Sequence, residues 1–193
     1  MQRKYFKERL LGTVLAASAG LACFQAEASQ NRAINLKVNP VTLLLGFVVA
    51  DLDFGLSERL TFGPSVAYWN LSVDSAKFKT LGYGAKFNYY LNGPRFTDSF
   101  YLQGGYSYLS KFKIESGGSS LEYKQASSAS ALLGYQWVFS SGFNICLGIG
   151  TAYGFGGNAT GDSVVVGGDT ISLKDLNLKG LSSSGEASIG WAF

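Results

Sequence analysis

From Phe143 to Phe155 the chain alternates without a break. Phe143, Ile145, Leu147, Ile149, Thr151, Tyr153 and Phe155 fall on one parity, and Asn144, Cys146, Gly148, Gly150, Ala152 and Gly154 on the other. A period of two puts consecutive side chains on opposite faces of a β-strand, whereas a helix would mix the two sets. Three further segments repeat the pattern. In 80–91, Leu81, Tyr83, Ala85, Phe87, Tyr89 and Leu91 oppose Thr80, Gly82, Gly84, Lys86, Asn88 and Tyr90. In 128–139, Ala129, Ala131, Leu133, Tyr135, Trp137 and Phe139 oppose Ser128, Ser130, Leu132, Gly134, Gln136 and Val138. In 182–193, Ala187, Ile189, Trp191 and Phe193 oppose Ser184, Glu186, Ser188, Gly190 and Ala192.

Weaker strands are expected at about 32–40, 44–56, 60–73 and 99–114, for about eight in all. Short turns are expected at 57–59, 92–98 and 140–142, and longer loops near 74–78, 115–121 and 156–180. Asn39-Pro40 favours a turn or strand break, which leaves the stretch to about residue 46 open.

The second face decides which solvent the strands meet. In a soluble barrel it must be rich in charge, yet in these four segments it holds only Lys86 and Glu186. The whole chain is 15% charged, against about 25% in an ordinary domain. It also has 25 glycines and is 15% aromatic. Gly, Ser and Ala suit the interior of a narrow barrel, where eight strands leave room only for packed side chains. The first face has no charge at all, as a lipid-facing band requires. Backbone groups in hydrocarbon must all be paired, and strands achieve this only by closing. The expected fold is therefore all-β, an eight-stranded antiparallel up-and-down transmembrane β-barrel. Tyr89, Trp137, Phe139, Phe143 and Trp191 would form an aromatic girdle at one end, and Tyr68, Tyr83, Tyr108 and Tyr153 one at the other.

The segment before the strands reads as a signal peptide over 1–28. Arg3, Lys4, Lys7 and Arg9 precede an apolar run from Leu10 to Ala22, and Ala26-Glu27-Ala28 offers a cleavage site. The run is short for a spanning helix, which needs about 20 apolar residues. Residues 29–193 would then form the barrel domain, with the net charge reduced from +3 to +1 because the leader carries four basic and two acidic residues. That balance is too small for a nucleic-acid binder. Cys146 is the one cysteine left after the leader and is expected to be buried and free.

Together these features resemble the small bacterial outer-membrane β-barrels typified by OmpX and the membrane domain of OmpA. The resemblance rests on the leader, the alternating strands, the short-turn and long-loop rhythm and the ending Ile189-Gly190-Trp191-Ala192-Phe193. The segment from Asn39-Pro40 through Ser57-Glu58-Arg59-Leu60-Thr61-Phe62-Gly63-Pro64 is also similar to a family of uncharacterised outer-membrane barrels. The resemblance implies export to the bacterial outer membrane, termini in the periplasm and long loops outside the cell. It implies that Ile189, Trp191 and Phe193 act as a signal to the outer-membrane assembly machinery. The remaining partners it implies are membrane lipid and lipopolysaccharide around the wall and an extracellular ligand at the loops.

Catalytic barrels of this shape, such as lipid A deacylases and outer-membrane phospholipases, depend on histidine, and this chain contains none. Serine alone is a weak nucleophile without a base. No carboxylate cluster has zinc-ligand spacing, so neither a metal nor another cofactor is expected. The glycine–aspartate stretch at 156–169 reads as a surface loop, and Val164, Val165 and Val166 give it an apolar edge.

Charges remain on the expected lumen parity. They are Lys37, Asp51, Asp53, Lys86 and Glu186, with Glu122 and Lys124 nearer the outer rim. Asp51, Lys86 and Glu186 each lie about six or seven residues from a turn, at similar depth. Buried charges persist when paired, so an ion-pair network plugging the barrel is expected. The leading function is a non-enzymatic barrel with a structural or surface-binding role. The alternatives are a narrow OmpW-like channel for small solutes and a soluble secreted barrel with an internal ligand.

Overall fold

The computed structural model describes residues 32–44, 46–73, 76–116, 119–160, 163–166, 169–172 and 179–193. The expected signal peptide lies outside the described residues. In chain order the elements are β1 (Ile34–Val38), the short helix α1 (Pro40–Leu44), β2 (Phe47–Gly55), β3 (Leu60–Val73), β4 (Ala76–Tyr90), β5 (Ser99–Ser116), β6 (Ser119–Val138), β7 (Phe143–Thr160), β8 (Ser163–Val166), β9 (Asp169–Ser172) and β10 (Lys179–Ala192). Each strand from β1 to β7 pairs antiparallel with the next, and β7 pairs with β10. The ring closes where β10 meets β1, from Asn35↔Ala192 to Val38↔Ile189. Below this ladder Ile34 N–H donates to Phe193 O at 3.0 Å and Phe193 N–H to Ile34 O at 2.9 Å. β8 and β9 form a separate hairpin within the expected long loop, and β8 lies against β5 and β6.

The wall is uneven in height. β1 has 5 residues and β2 has 9, while β5 has 18 and β6 has 20. Strands β5, β6 and β7 therefore run on into stretches expected to be loop. One end of the barrel carries the short turns and is called here the turn end; the other is the loop end. Helix α1 occupies the stretch that the sequence left open. Asn39 caps it, accepting the Thr42 N–H on Oδ1 at 3.0 Å, and Pro40 takes the first helical position, where no N–H is needed. At the turn end Phe96 adopts a left-handed φ of 58° and tucks beneath the barrel against Tyr90, with ring centroids 6.4 Å apart.

The four strongly alternating segments present the expected faces. Leu81, Tyr83, Phe87 and Tyr89 are exposed while Gly82, Asn88 and Tyr90 are buried. Ile189 and Trp191 lie on the outward parity of β10, opposite the buried Glu186, Ser188 and Ala192, and Phe193 is exposed. The two expected girdles also face outward. At the turn end Phe143 contacts Phe139 and Trp191, with centroids 5.6 and 5.9 Å away. Towards the loop end Tyr83 stacks obliquely on Tyr108 at 5.2 Å.

Parity then changes in β5 and β6. The β5–β6 register runs from Leu109↔Ala126 to Lys111↔Lys124 without a shift, so Ser110 and Gln125 face one another at the point where both strands turn over, and Ser110 is an extra residue against β4. β4 continues unbroken beside them, from Gly82↔Leu109 to Leu81↔Lys111. A bulge of one residue turns every later side chain to the other face. Ser110 anchors its bulge by donating Oγ–H to Leu81 O at 2.8 Å, and Gln125 takes a left-handed φ of 58°. Beyond these points Phe112, Ile114, Leu121 and Tyr123 share the inward side with Phe78. Glu122 and Lys124, expected in the lumen, point outward. Uninterrupted alternation would have placed them inside; the break at Gln125 reverses them.

Candidate functional site

The turn-end half of the lumen is a polar network to which all eight barrel strands contribute. Each group arrives because its strand places a polar residue on the inward parity. Lys37 on β1 is its centre. Its Nζ lies 2.9 Å from Asp53 Oδ2 on β2 and 3.0 Å from Glu186 Oε1 on β10. These side chains are almost inaccessible, at 3%, 0% and 6%. Glu186 Oε1 also accepts the Ser188 hydroxyl at 3.0 Å. Its Oε2 accepts from Gln103 Nε2 at 2.6 Å and from the Tyr101 hydroxyl at 3.3 Å. Gln103 donates as well to Asn88 Oδ1 at 2.9 Å, and Asn88 Nδ2 to Thr61 Oγ1 at 3.0 Å.

Lys86 on β4 pairs with Asp51 on β2, Nζ to Oδ2 at 2.8 Å. Lys86 and Glu186 therefore belong to neighbouring pairs rather than to one another. Both line a cavity of about 170 Å³ above the network, together with Asp51, Gln103 and Ser184. Below it, Tyr90 donates its hydroxyl to Gln136 Oε1 at 2.7 Å, tying β4 to β6 across the lumen. Asn144 Nδ2 donates to Asn35 Oδ1 at 2.9 Å, tying β7 to β1. Cys146 is buried in this layer with a free thiol.

Glycines make the layer possible. A Cβ on Gly63 would sit 2.1 Å from Asp53 Oδ1, and one on Gly134 would sit 2.3 Å from the Tyr101 ring. The neutral partners Asn35, Asn88, Tyr101, Gln103, Asn144 and Ser188 are the members that charge-based reasoning missed. Their shared inward parity and depth were the available signal.

The loop-end half is built the other way. Trp69 stacks inside the barrel against Phe47 and Phe78, with centroids at 3.7 and 5.4 Å, and lies 6.3 Å from Phe112. Ile114, Leu121 and Tyr123 are buried on the same side. Outside this apolar core stand the charges. Lys111 Nζ lies 2.7 Å from Glu122 Oε1, Lys124 Nζ lies 3.4 Å from Glu122 Oε2, and Lys113 pairs with Glu115. The hydrogen bond from Lys113 holds the Glu115 carboxyl below its ordinary value and raises the Lys113 ammonium. That from Lys111 lowers Glu122 in the same way. Among the described residues no group of His, Cys, Asp and Glu is arranged to hold a metal ion.

These features define a class: an eight-stranded antiparallel barrel whose core is polar at one end and apolar at the other. Residues 14–160 match the family described as Protein of unknown function (DUF3575), and the chain belongs to that family. No curated protein and no solved structure matches the chain.

Proposed function

We propose that this chain is a non-enzymatic bacterial outer-membrane barrel, exported through its leader, with a structural or surface-binding role for its loop end. The observation that carries the reading is the reversal of polarity within one wall. The turn-end half has a polar core and an apolar exterior, with Leu102, Leu133 and Ile149 exposed at 49%, 48% and 76%. The loop-end half has an apolar core and a charged exterior. One solvent cannot suit both halves. Hydrocarbon around the first and water around the second suits each. On β4 the outward residues from Tyr89 to Leu81 span nine positions before Lys79, close to the roughly 9–11 needed by a tilted strand.

The absence of histidine supports a role without acid–base catalysis by imidazole. Loops on a rigid scaffold commonly carry recognition. The β8–β9 hairpin gives the longest loop a defined backbone for that purpose. The decisive experiment is a gel-shift of outer-membrane fractions with and without boiling. A folded band that migrates apart from the boiled one, extracted only by detergent, is expected. Recovery from the periplasm without detergent would overturn the membrane assignment in favour of a soluble barrel.

A second reading, a narrow channel for small solutes, draws on the polar cavity beside Lys86 and Asp51. Against it stand the cross-lumen pairs and the Phe96 plug beneath them. Planar-bilayer recordings separate the two, with a closed trace at every voltage expected here.

A further inference from the structure

Charge does not balance in the polar half of the lumen. Among the described residues its inward side chains carry two ammonium groups, Lys37 and Lys86, and three carboxylates, Asp51, Asp53 and Glu186. Arg32 and Arg95 lie at the turn end and donate to the backbone carbonyls of Ser140 and Ser57, at 2.9 and 2.8 Å. One negative charge is left over. Buried charges persist where they are paired, so an unmatched carboxylate inside a barrel marks a missing cation.

The shortfall falls at one place. Glu186 is satisfied by Lys37, Ser188, Gln103 and Tyr101. Asp53 shares Lys37 and takes no part in lining the cavity. Asp51 is only 5% exposed and meets Lys86 through Oδ2, while its Oδ1 is buried with no hydrogen-bond partner among the described residues. Asp51 also lines the cavity of about 170 Å³, together with Ser65, Ser130 and Ser184. Such a space holds about six heavy atoms, since a cavity of about 150 Å³ admits benzene. A second hollow of about 340 Å³ shares Ser107 with it and reaches Lys179 and Gly180 at the loop end. That hollow is lined from β5, β6, β7 and β10, so entry runs beside the Phe47–Trp69–Phe78 stack of β2 to β4 rather than through it.

We propose that this cavity binds a small primary ammonium ligand, its cation against Asp51 and its remaining atoms among the serines. Three N–H donors on one positive centre suit a free carboxylate oxygen and neighbouring hydroxyls, and one positive charge brings the layer to neutrality. Lys86 is already paired, so an anionic ligand finds no free counter-charge there. The site lies within the wall and does not depend on what surrounds the barrel.

The test uses the full chain folded in non-ionic detergent, with the folding of each variant scored by circular dichroism. Ethanolamine is titrated by calorimetry at neutral pH and constant ionic strength, beside tetramethylammonium, sodium chloride and ethylene glycol. Saturable binding of ethanolamine alone is expected. D51N removes the free oxygen and the surplus charge together and should weaken binding roughly tenfold or more. K86Q leaves two carboxylates unmatched and should bind more tightly, a gain that a merely structural ion pair would not give. Equal binding of ethylene glycol or tetramethylammonium overturns the ammonium assignment, and equal binding of sodium overturns the organic ligand. No binding by the wild-type chain, or unchanged affinity in D51N, overturns the site.

Discussion

The two ends of the barrel use the same strands to solve opposite problems. Near the short turns, Lys37, Asp53 and Glu186 are drawn together inside and Leu133 and Ile149 face out. Near the long loops, Trp69, Phe78 and Phe112 meet inside and Lys111, Lys113 and Lys124 face out. The backbone ladder continues through both regions. What differs is which parity is turned inward, and the break of alternation at Ser110 and Gln125 makes the change. The contrast teaches that strand pairing is indifferent to solvent, whereas side-chain parity is not.

The largest expected effect comes from breaking the polar core. Lys37→Met leaves Asp53 and Glu186 buried without their cation, at a cost of about 3–5 kcal/mol. Urea unfolding in vesicles should show it as a lower midpoint. Replacing all three charges together, as Lys37→Met, Asp53→Leu and Glu186→Met, should recover much of the loss, because no charge is then stranded. A single variant as stable as wild type would show that the pairs contribute nothing.

Next in size is a test of the exterior. Leu133→Arg should cost about 2–4 kcal/mol if hydrocarbon surrounds the turn-end half. Ser120→Arg, on the outward face of the loop end, should stay within about 0.5 kcal/mol. Equal effects at the two sites, measured by the same unfolding assay, would erase the proposed difference in solvent.

A smaller effect is expected at the boundary. Gln125 sits at φ 58°, a region that glycine enters freely. Gln125→Gly should therefore be neutral or stabilising by up to about 1 kcal/mol, whereas a β-branched residue there should destabilise. The sign of the midpoint shift checks this.

The smallest effect concerns the paired carboxylates outside. Glu115 is held below the 4.5 of a free glutamate chiefly by its hydrogen bond from Lys113. Its contribution is complete above 4.5 and is lost as pH falls through the lower folded value. Carboxyl NMR should find the Glu115 midpoint below 4.5, and Lys113→Gln should return it towards that value. A midpoint already at 4.5 in the wild type would remove the pairing from the account.

Much of this was legible because alternation is a local property. Residues two apart report their face wherever the strand is regular, and 143–155 and 80–91 are regular over their whole length. Asn39-Pro40 likewise marked a break, although its helix depended on the Asn39 cap. The upper parts of β5 and β6 read differently. There Glu122 and Lys124 read as inward-facing until the break of alternation at Ser110 and Gln125 is recognised, a break that also turns Lys111 and Lys113 outward. Neither residue type announces a bulge, so the reversal was not legible.

By itself, then, the sequence determined the strand class, the two faces of each regular strand and the need for closure, since these follow from period two and unpaired edges. Tertiary structure alone decided that Lys37 would meet Glu186 rather than Lys86 doing so. That choice depends on β10 returning to β1 and on the register of the ring, which bring together residues far apart in the chain. It also decided where the barrel turns inside out, because a bulge is fixed by the pairing of neighbouring strands and not by the residue that forms it.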